Sequence, residues 1–558
     1  MHTLLKKYII IVFLFFSILP VSAQEEEFIN EEGEVVEGEF LINKELEISL
    51  PSAQRIFQKV PPDETNASET EPLEYTFKDY TPQLNDIRTR LRVLKLKEDQ
   101  RVTTKPGSYF NIGFGNFFTP YLEAGLNSGV NKTSNYGIKF YHLSSRNGPV
   151  DKDNSGDSHS AIDLFGKYMG GQASIGGDLS YNRDGYHFYG YDDGIEVSKD
   201  TIKQVFDQIN LGFEIKSSDV ENPIQYGING KLHHIADNFN ASELGFKTGL
   251  SGKYMINENM QAKFGLDFLL ASYKNPDKIS RSLVRVYPSF VYTNFGLSVD
   301  VGMKIVNHND TLNHNNNTQI YPSIQVDYDI TDNFTAYGRL DGDVEEVTFK
   351  RIATENPYVK GDLPVGHTNK NLDLQFGLKG NIIQYLAFDV GIRSAIYKNM
   401  YFYVNDPLEF NKFNILYDGG NTTLFQGIAS LSYFRDNTVG ATLSTRFNAY
   451  GTGDLEKAWH RPKFEFDASF WYNFFDKVKF TTDFFVLSGI EAPDLRTVPV
   501  TSGKLGGAAD LNLKVDYILS ERYSVFVSVN NLLNNNYQLY YRYPTRGLLA
   551  MVGFSISF

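Results

Sequence analysis

The last eleven residues, Leu548 to Phe558, alternate between an apolar series and a smaller, more polar series. The apolar series is Leu548, Ala550, Val552, Phe554, Ile556 and Phe558, and the other is Leu549, Met551, Gly553, Ser555 and Ser557. A period of two residues predicts a β-strand whose two faces meet different environments. Strands of transmembrane barrels alternate in this way, with apolar side chains toward lipid. The end of the chain therefore predicts the last strand of a membrane barrel.

A terminal aromatic residue after such a strand is typical of bacterial outer-membrane barrels, where it is a recognition signal for insertion. We expect Phe554, Ile556 and Phe558 to form this barrel-insertion signal. The expected partners are then the barrel-assembly machinery during insertion, and outer-membrane lipid and lipopolysaccharide afterwards.

The beginning of the chain predicts export. Lys6 and Lys7 precede an apolar run from Tyr8 to Leu19, and Val21-Ser22-Ala23 offers a small-residue cleavage site. We interpret residues 1–23 as a secretory signal peptide that the mature protein lacks. The two ends together predict the outer membrane of a Gram-negative bacterium as the location.

Composition narrows the function classes. The absence of cysteine excludes disulfides, thiolate metal sites and cysteine nucleophiles, and the net charge of −14 argues against nucleic-acid binding. With 43 Phe and 35 Tyr, a mean hydropathy of only −0.32 suits half-apolar barrel strands between aromatic girdles. A secreted soluble β-sandwich or propeller is the alternative.

The chain divides into two parts. Gln24 to Glu39 holds eight glutamates and no basic residue, so we interpret residues 24–105 as an acidic periplasmic N-terminal segment, partly disordered. From 106 to 558, about seventeen strand-like runs recur between turn residues. Long polar gaps, as expected of extracellular loops, lie at 307–318, 343–369, 405–422 and 486–506. We predict an all-β, antiparallel transmembrane barrel with an even number of strands between about 14 and about 22.

The stretch from Asp510 to Phe558 resembles the C-terminal end of TonB-dependent receptors of the Bacteroidota type. The likeness is carried by Val529-Asn530-Asn531-Leu532-Leu533-Asn534, Tyr537, Tyr543-Pro544, Gly547 and Phe558, and more weakly by His460-Arg461-Pro462. It implies a barrel end and no particular substrate. Residues 24–105 are shorter than the family's plug domain and lack its usual signatures. We therefore expect a plugless relative that does not use energised uptake.

An enzymatic alternative rests on His142 and Ser144, which a strand places on one face within reach of each other. A family of outer-membrane lipid A deacylases has a similar His-x-Ser motif with a carboxylate on the next strand. Asp163, or else Asp157, is the candidate for that carboxylate, and the chemistry is attack of a base-activated serine on an acyl ester. A polar strand end with a hydrogen-bonded histidine explains the same residues, and we expect the chain not to be an enzyme.

A calcium site is a second chemical alternative. Asp151, Asp153, Ser155 and Asp157 repeat the first half of an EF-hand loop, with Gly156 at the sixth place. The twelfth place is Ile162 instead of a bidentate glutamate, so a solvated acidic loop is the competing interpretation. We expect no cofactor, with calcium as the one candidate.

Three functions fit these features. The first is a pore or transport barrel for small solutes, and the second is an accessory structural barrel in a larger outer-membrane complex such as barrel assembly. In the second, residues 24–105 contact other outer-membrane or periplasmic proteins. The third is a lipid-modifying enzyme that uses His142 and Ser144.

Overall fold

The computed structural model describes residues 107–128, 133–219, 222–310, 317–497 and 500–558. The predicted signal peptide and the predicted acidic segment 24–105 lie outside the described residues. Strands dominate the described part, and none of its helices is long and apolar enough to cross a membrane.

The first eleven barrel strands follow one another along the chain. They are β1 Tyr109–Gly115, β2 Thr119–Asn127, β3 Ser134–Ser145, β4 Asp157–Met169, β5 Ala173–His187, β6 Lys203–Ser217, β7 Ile224–Asp237, β8 Ser242–Met255, β9 Met260–Lys274, β10 Lys278–Val286 with Ser289–Asn294, and β11 Leu297–Asn309. Strand β10 is interrupted at Tyr287-Pro288, because proline has no N–H to donate to the ladder. The Tyr287 ring lies over Gly265 of β9, where a Cβ atom would come within 1.8 Å of the ring.

The second eleven strands complete the sheet. They are β12 Asn317–Thr331, β13 Phe334–Glu345, β14 Thr368–Ile383, β15 Leu386–Lys398, β16 Asn421–Arg435, β17 Val439–Gly451, β18 Phe464–Phe474, β19 Val478–Ser488, β20 Ala508–Ile518, β21 Tyr523–Asn530 and β22 Leu549–Ser557. Each strand pairs antiparallel with its neighbours, and β22 pairs with β1 through Gly553 opposite Gly113. The result is a closed antiparallel barrel of 22 strands, which confirms the predicted fold class and even strand number.

The two faces of the wall carry different residues. Val552 of β22 and Ile320 of β12 point outward, with 64% and 66% of their surfaces exposed. A belt of exposed tyrosines surrounds one end of the barrel, formed by Tyr136, Tyr168, Tyr226, Tyr254, Tyr292, Tyr328, Tyr385, Tyr517 and Tyr523. An apolar outer wall with an aromatic girdle matches a hydrocarbon layer and its interface. The barrel therefore lies in the outer membrane.

The connections differ at the two ends of the barrel. At the girdled end they are short turns such as 170–172, 295–296 and 384–385. At the other end most are long, and the longest are 188–202, 346–367, 399–420, 452–463, 489–507 and 531–548. Short periplasmic turns and long extracellular loops are the rule for bacterial barrels. We call the two ends the short-turn end and the long-loop end, and the second corresponds to the extracellular side.

The long loops contain their own secondary structure. The 346–367 loop holds a helix, α1, at Phe349–Glu355, and short 3₁₀ turns occupy Lys152–Ser155 and Lys199–Thr201. Three hairpins lie outside the barrel sheet, formed by Tyr401–Asn405 with Phe413–Tyr417, Glu491–Asp494 with Thr501–Lys504, and Gln538–Tyr540 with Tyr543–Pro544. These elements give the loops enough structure to pack against one another.

Candidate functional site: a mouth closed by its own loops

The long-loop end of the barrel contains a hydrophobic core. We call this core the mouth cluster; its loop residues are Tyr189, Val347, Phe349, Ile352, Ala353, Val359, Leu363, Val365, Tyr401, Tyr403, Phe413, Ile415 and Tyr543. Wall strands contribute Phe206, Ile235 and Tyr273, and the 238–241 turn contributes Ala241. A barrel of this width does not fill its own interior with wall side chains, so at this end the loops fill it instead.

A tyrosine stack joins Tyr189 and Tyr543 of the mouth cluster to Tyr358, a partly buried residue that packs against the cluster. The rings of Tyr358 and Tyr543 are parallel within 27° and 3.8 Å apart between centroids. The Tyr189 ring lies 4.7 Å from that of Tyr543, and its hydroxyl donates to the carbonyl of Pro544 at 3.2 Å. Burial raises the pKa of Tyr358 and Tyr543 well above the ordinary value, so both hydroxyls stay neutral. Three loops that are far apart in sequence are thereby held together.

A carboxylate at the end of α1 ties the helix to the neighbouring hairpin. Glu355 accepts hydrogen bonds from the hydroxyls of Tyr401 at 2.6 Å and Tyr403 at 3.0 Å, and Arg351 donates to it at 3.1 Å. Burial alone would raise the pKa of Glu355, but these hydrogen bonds and the charges of Arg461 and Arg351 lower it. The ionised form is therefore the one that the packed loops stabilise.

A neutral histidine joins two further loops. The ring nitrogen Nδ1 of His460 donates to the carbonyl of Tyr403 at 2.7 Å, and Nε2 accepts from the Tyr541 amide at 3.3 Å. Its ring packs edge-on against Phe413 at 5.3 Å. Burial lowers the pKa of His460 to about 4. Only the neutral ring can donate with one nitrogen and accept with the other. Protonation turns Nε2 into a donor and so breaks its contact with the Tyr541 amide.

Helix α1 is attached to the barrel wall by a buried ion pair. Glu243 of β8 and Arg281 of β10 are 3.0 Å apart, and their side chains are 0% and 1% exposed. Glu243 also accepts from the backbone amides of Phe349 at 2.9 Å and Lys350 at 3.2 Å, and it lies 3.2 Å from the His233 ring. Arg281 donates to the carbonyl of Val347. One wall carboxylate thus satisfies amides that the first turn of α1 leaves unpaired.

Charged side chains line the lumen face of the wall below this attachment. Arg285 donates to Asp343 at 2.8 Å and to Asp267 at 3.0 Å, and Lys304 contacts Asp341 at 2.8 Å. Ion pairs continue on the next strands, for example between Arg393 of β15 and Asp373 of β14, which is directly opposite Asp341. A polar lumen wall behind an apolar outer wall is the arrangement of a barrel that encloses water.

The residues of the enzymatic alternative are only partly brought together. His142 Nε2 lies 3.2 Å from Ser144 Oγ, as the shared strand face predicted. Asp163 is opposite Lys139 in the β3–β4 register and points to the lumen, whereas His142 is opposite Ser160 and lies on the outer face. The His142 Nδ1 atom contacts Ser160 Oγ at 2.8 Å instead of a carboxylate. The predicted role of Asp163 is therefore wrong, because antiparallel register puts it on the opposite face from His142; Asp157 is excluded in the same way.

The four calcium candidates have separate partners. Asp151 accepts from the Tyr191 hydroxyl at 2.7 Å, Asp153 lies 3.8 Å from Lys199, and Asp157 contacts Arg546 at 2.9 Å. The Ser155 hydroxyl bonds to backbone within its own turn. The described part of the chain holds no group of three side chains poised for a metal ion. Calcium at this loop stays a prediction, and it would require Asp151 and Asp157 to leave these partners.

The barrel-insertion residues lie where the alternation predicted. Phe554 and Ile556 of β22 are opposite Ile112 and Phe110 of β1 on the outer face, and the Phe554 ring stacks on Tyr523 at 5.9 Å. Phe558 is 58% exposed at the short-turn end. Their role in insertion stays a prediction.

The mouth cluster was not predicted from the sequence. The 343–369 gap was expected to be a polar loop, although Phe349, Ile352 and Ala353 have the spacing of one helix face. Thr348 precedes them and caps the helix, since its hydroxyl accepts from the Arg351 amide at 3.1 Å. A helix start signal was therefore present in that gap.

Comparison with known proteins supports the fold. No family model matches the chain, and no curated protein matches it. Among solved structures, it resembles the FrpB iron transporter (F3-3 variant) from Neisseria meningitidis, with a TM-score of 0.63, 10% identity, and 81% of each chain covered. It is also similar to the siderophore receptor PirA from Acinetobacter baumannii, with a TM-score of 0.60, 10% identity, and 81% of this chain and 80% of that chain covered.

A third similar structure is the ferric-catecholate import receptor Fiu from Escherichia coli K12. Its TM-score is 0.61 at 8% identity, with 81% of this chain and 82% of that chain covered. These neighbours are TonB-dependent outer-membrane receptors, so the resemblance predicted from the last strands is confirmed for the fold. At such identities the likeness is one of fold alone, and this chain has the 22-strand barrel fold of outer-membrane receptors.

Proposed function

We propose that this protein is an outer-membrane transport barrel for small polar solutes, closed at rest by its own extracellular loops. The observation that carries the proposal is the combination of a charge-lined lumen with a mouth cluster drawn from several loops. Side chains that line a lumen with both charges favour hydrated solutes over lipid. Loops held by stacked rings and a small number of ion pairs, such as Arg281 with Glu243 and Lys360 with Asp406, are elements that can move as a unit to open the mouth.

We propose further that the barrel is plugless and does not depend on TonB. The basis is the shortness of residues 24–105 and their lack of plug signatures. Deleting residues 24–50 is then expected to leave any uptake unchanged. Uptake that is lost in this deletion and also needs the membrane potential would contradict the proposal.

Conductance in planar bilayers tests the gated pore. We expect the wild-type barrel to be closed most of the time, and Tyr543→Ala to raise its open probability. Tyr543 is 2% exposed, and truncating a buried aromatic ring costs about 3–5 kcal/mol. The open-to-closed ratio should therefore rise at least a hundredfold. The control is Phe295→Ala, because this ring is 95% exposed in a turn at the short-turn end.

The outcome that would refute the pore is specific. If amide exchange shows that Tyr543→Ala has loosened the mouth loops, and conductance still equals that of the control, the barrel is not a gated pore.

The second candidate is an accessory structural barrel in a larger outer-membrane complex. A mouth filled by an ordered apolar core suits a barrel that presents a fixed surface. Purification in mild detergent followed by mass spectrometry tests this candidate. Partners held in constant ratio, and lost when residues 24–105 are deleted, would favour it over the pore. We also propose that the protein is not an enzyme.

A further inference from the structure

A cleft lies between α1 and the lumen face of strands β5 to β9. Its volume is about 380 Å³, and four cationic and two acidic side chains line it. The cations are Lys231, Lys247, Lys350 and Arg351, and the acids are Asp178 and Glu346. The cleft thus carries an excess of two positive charges in a chain whose net charge is −14.

The excess comes from a cross-strand pair of like charges. Lys231 of β7 is directly opposite Lys247 of β8, an arrangement that destabilises a sheet unless something compensates it. Glu346 compensates Lys247, since its two oxygens accept from the Lys247 ammonium at 2.8 and 2.9 Å. Within the described residues, no carboxylate lies within 4.0 Å of the Lys231 ammonium.

A third ammonium enters the cleft from the loop side. Lys350 of α1 reaches down and donates to the Asn210 side chain on β6. Burial and the charge of Lys231 lower the pKa of Lys350, so the two ammonium groups are close enough to repel each other. Arg351 is different, because Glu355 and Glu345 pair with it. Lys231 and Lys350 are therefore the two cations of the cleft without an ion-pair partner within 4.0 Å among the described residues.

A second like-charged pair lies lower on the same wall. Lys253 of β8 is directly opposite Lys263 of β9, and both line a cleft of about 490 Å³ with Lys216 and Lys304. Asp300 pairs with Lys263 at 2.8 Å, which leaves Lys253 without a carboxylate within 4.0 Å in the part of the chain described. The basic surface thus extends along one wall from beneath α1 toward the short-turn end.

We propose that the cleft beneath α1 binds a small anionic solute through carboxylate or phosphate oxygens, held between Lys231 and Lys350. Ammonium groups are compact charges that suit such oxygens, and the volume fits a small polyanion. The lower pair, Lys253 and Lys263, continues the route for the same anion along the wall. The transport role of this site rests on the proposed function, but binding itself does not.

Lysine footprinting with inorganic pyrophosphate tests the proposal. The detergent-solubilised full-length protein is acetylated with and without the anion, and each lysine is followed by mass spectrometry. We expect pyrophosphate to slow modification of Lys231 and Lys350 at least fivefold. Lys379 is the internal control, because it is a half-exposed lysine on the lumen wall of β14 that pairs with Asp327 at 3.1 Å.

Substitutions separate a site from a general charge effect. Lys231→Gln should weaken pyrophosphate binding in calorimetry at least tenfold, Lys231→Arg should retain most of it, and Lys379→Gln should leave it unchanged. Unchanged heat-modifiability on gels shows that each variant barrel is folded. Equal protection of all lumen lysines, or equal affinity in Lys231→Gln and Lys379→Gln, would overturn the site. Since binding needs no open mouth, a barrel that protects Lys231 but does not conduct even in Tyr543→Ala would refute transport and leave the site standing.

Discussion

Replacing Glu243 with glutamine should detach α1 from the barrel wall. The carboxylate receives Arg281, the amides of Phe349 and Lys350, and a contact from His233. Glutamine keeps one acceptor oxygen, but its NH2 group replaces the other oxygen and faces groups that are themselves donors. Arg281, 1% exposed, would then be a buried charge without its counter-ion. Breaking such a pair costs about 3–5 kcal/mol.

This free energy acts on the opening of the 346–367 loop, because Glu243 contacts α1 directly. If the free energy of the closed loop rises by about 3–5 kcal/mol relative to the open loop, the open population increases by about a hundredfold to a few thousandfold. Native-state amide exchange of the peptide around Phe349 and Lys350 measures that population. We expect exchange of these amides to accelerate by this factor in Glu243→Gln, while amides of the β14–β15 pair stay unchanged.

Glu214→Gln is the matched control. It removes the same charge from an ion pair with Lys216 at 2.8 Å, whose side chains are 40% and 60% exposed. Exposed pairs contribute at most about 1 kcal/mol, so exchange in α1 should not change. An acceleration below tenfold in Glu243→Gln would show that the ion pair does not hold α1 in place.

Three further outcomes follow from the geometry. Burial in the closed mouth lowers the pKa of His460 to about 4, against an ordinary 6.5. The neutral ring therefore contributes its full stabilisation of the closed mouth above pH about 6.5. That contribution decreases by up to about 3 kcal/mol as the pH falls to about 4. Open probability should rise over that interval in wild type and rise less steeply in His460→Gln, where the buried His367, whose pKa is also lowered by burial, still acts. Ile112→Arg, on the outer face of β1, should impair barrel assembly, because an arginine in lipid costs up to about 2–4 kcal/mol. The neighbouring residue Asn111 faces the lumen beside Glu123. The control variant Asn111→Arg should therefore assemble normally. Because the chain has no cysteine, a single introduced cysteine shows whether its position faces the lumen or the lipid. In liposomes, Asp163→Cys should react with a water-soluble maleimide and Leu164→Cys should not, and the reverse result would mean that the β3–β4 register is wrong.

Seventeen of the barrel strands could be identified from sequence alternation, and five could not. The five are β2, β4, β5, β8 and β13, and each carries glycine in its interior. Glycine lowers the apolar signal of a strand, although here it makes room for a neighbour. At Gly245 of β8, a Cβ atom would come within 2.1 Å of the His233 ring. Glycine alone does not separate the five from the rest, because the identified strand β7 also carries Gly227 and Gly230; the packing between strands that places these glycines is not displayed by a single sequence.

The site was predicted far less well than the barrel. His460 and Tyr543 were noticed as family-like residues. The burial of Tyr543 in the mouth cluster and the packing of His460 against Phe413 depend on loops that meet from 188–202, 346–367, 399–420, 452–463 and 531–548. Polar composition made these loops look solvated, since their apolar residues are dispersed among polar and charged ones. The hydrophobic core of these loops forms only because the closed barrel brings all of them to the same end.

The sequence by itself determined that this chain forms a barrel in the outer membrane. Alternation with a period of two is local, because the two environments of a strand act on consecutive residues. Tertiary structure alone decided which side chains meet: Lys231 opposite Lys247, Asp163 on the other face from His142, and Glu243 beneath α1. These encounters depend on strand register and loop packing, and a shift of one residue would reverse every face.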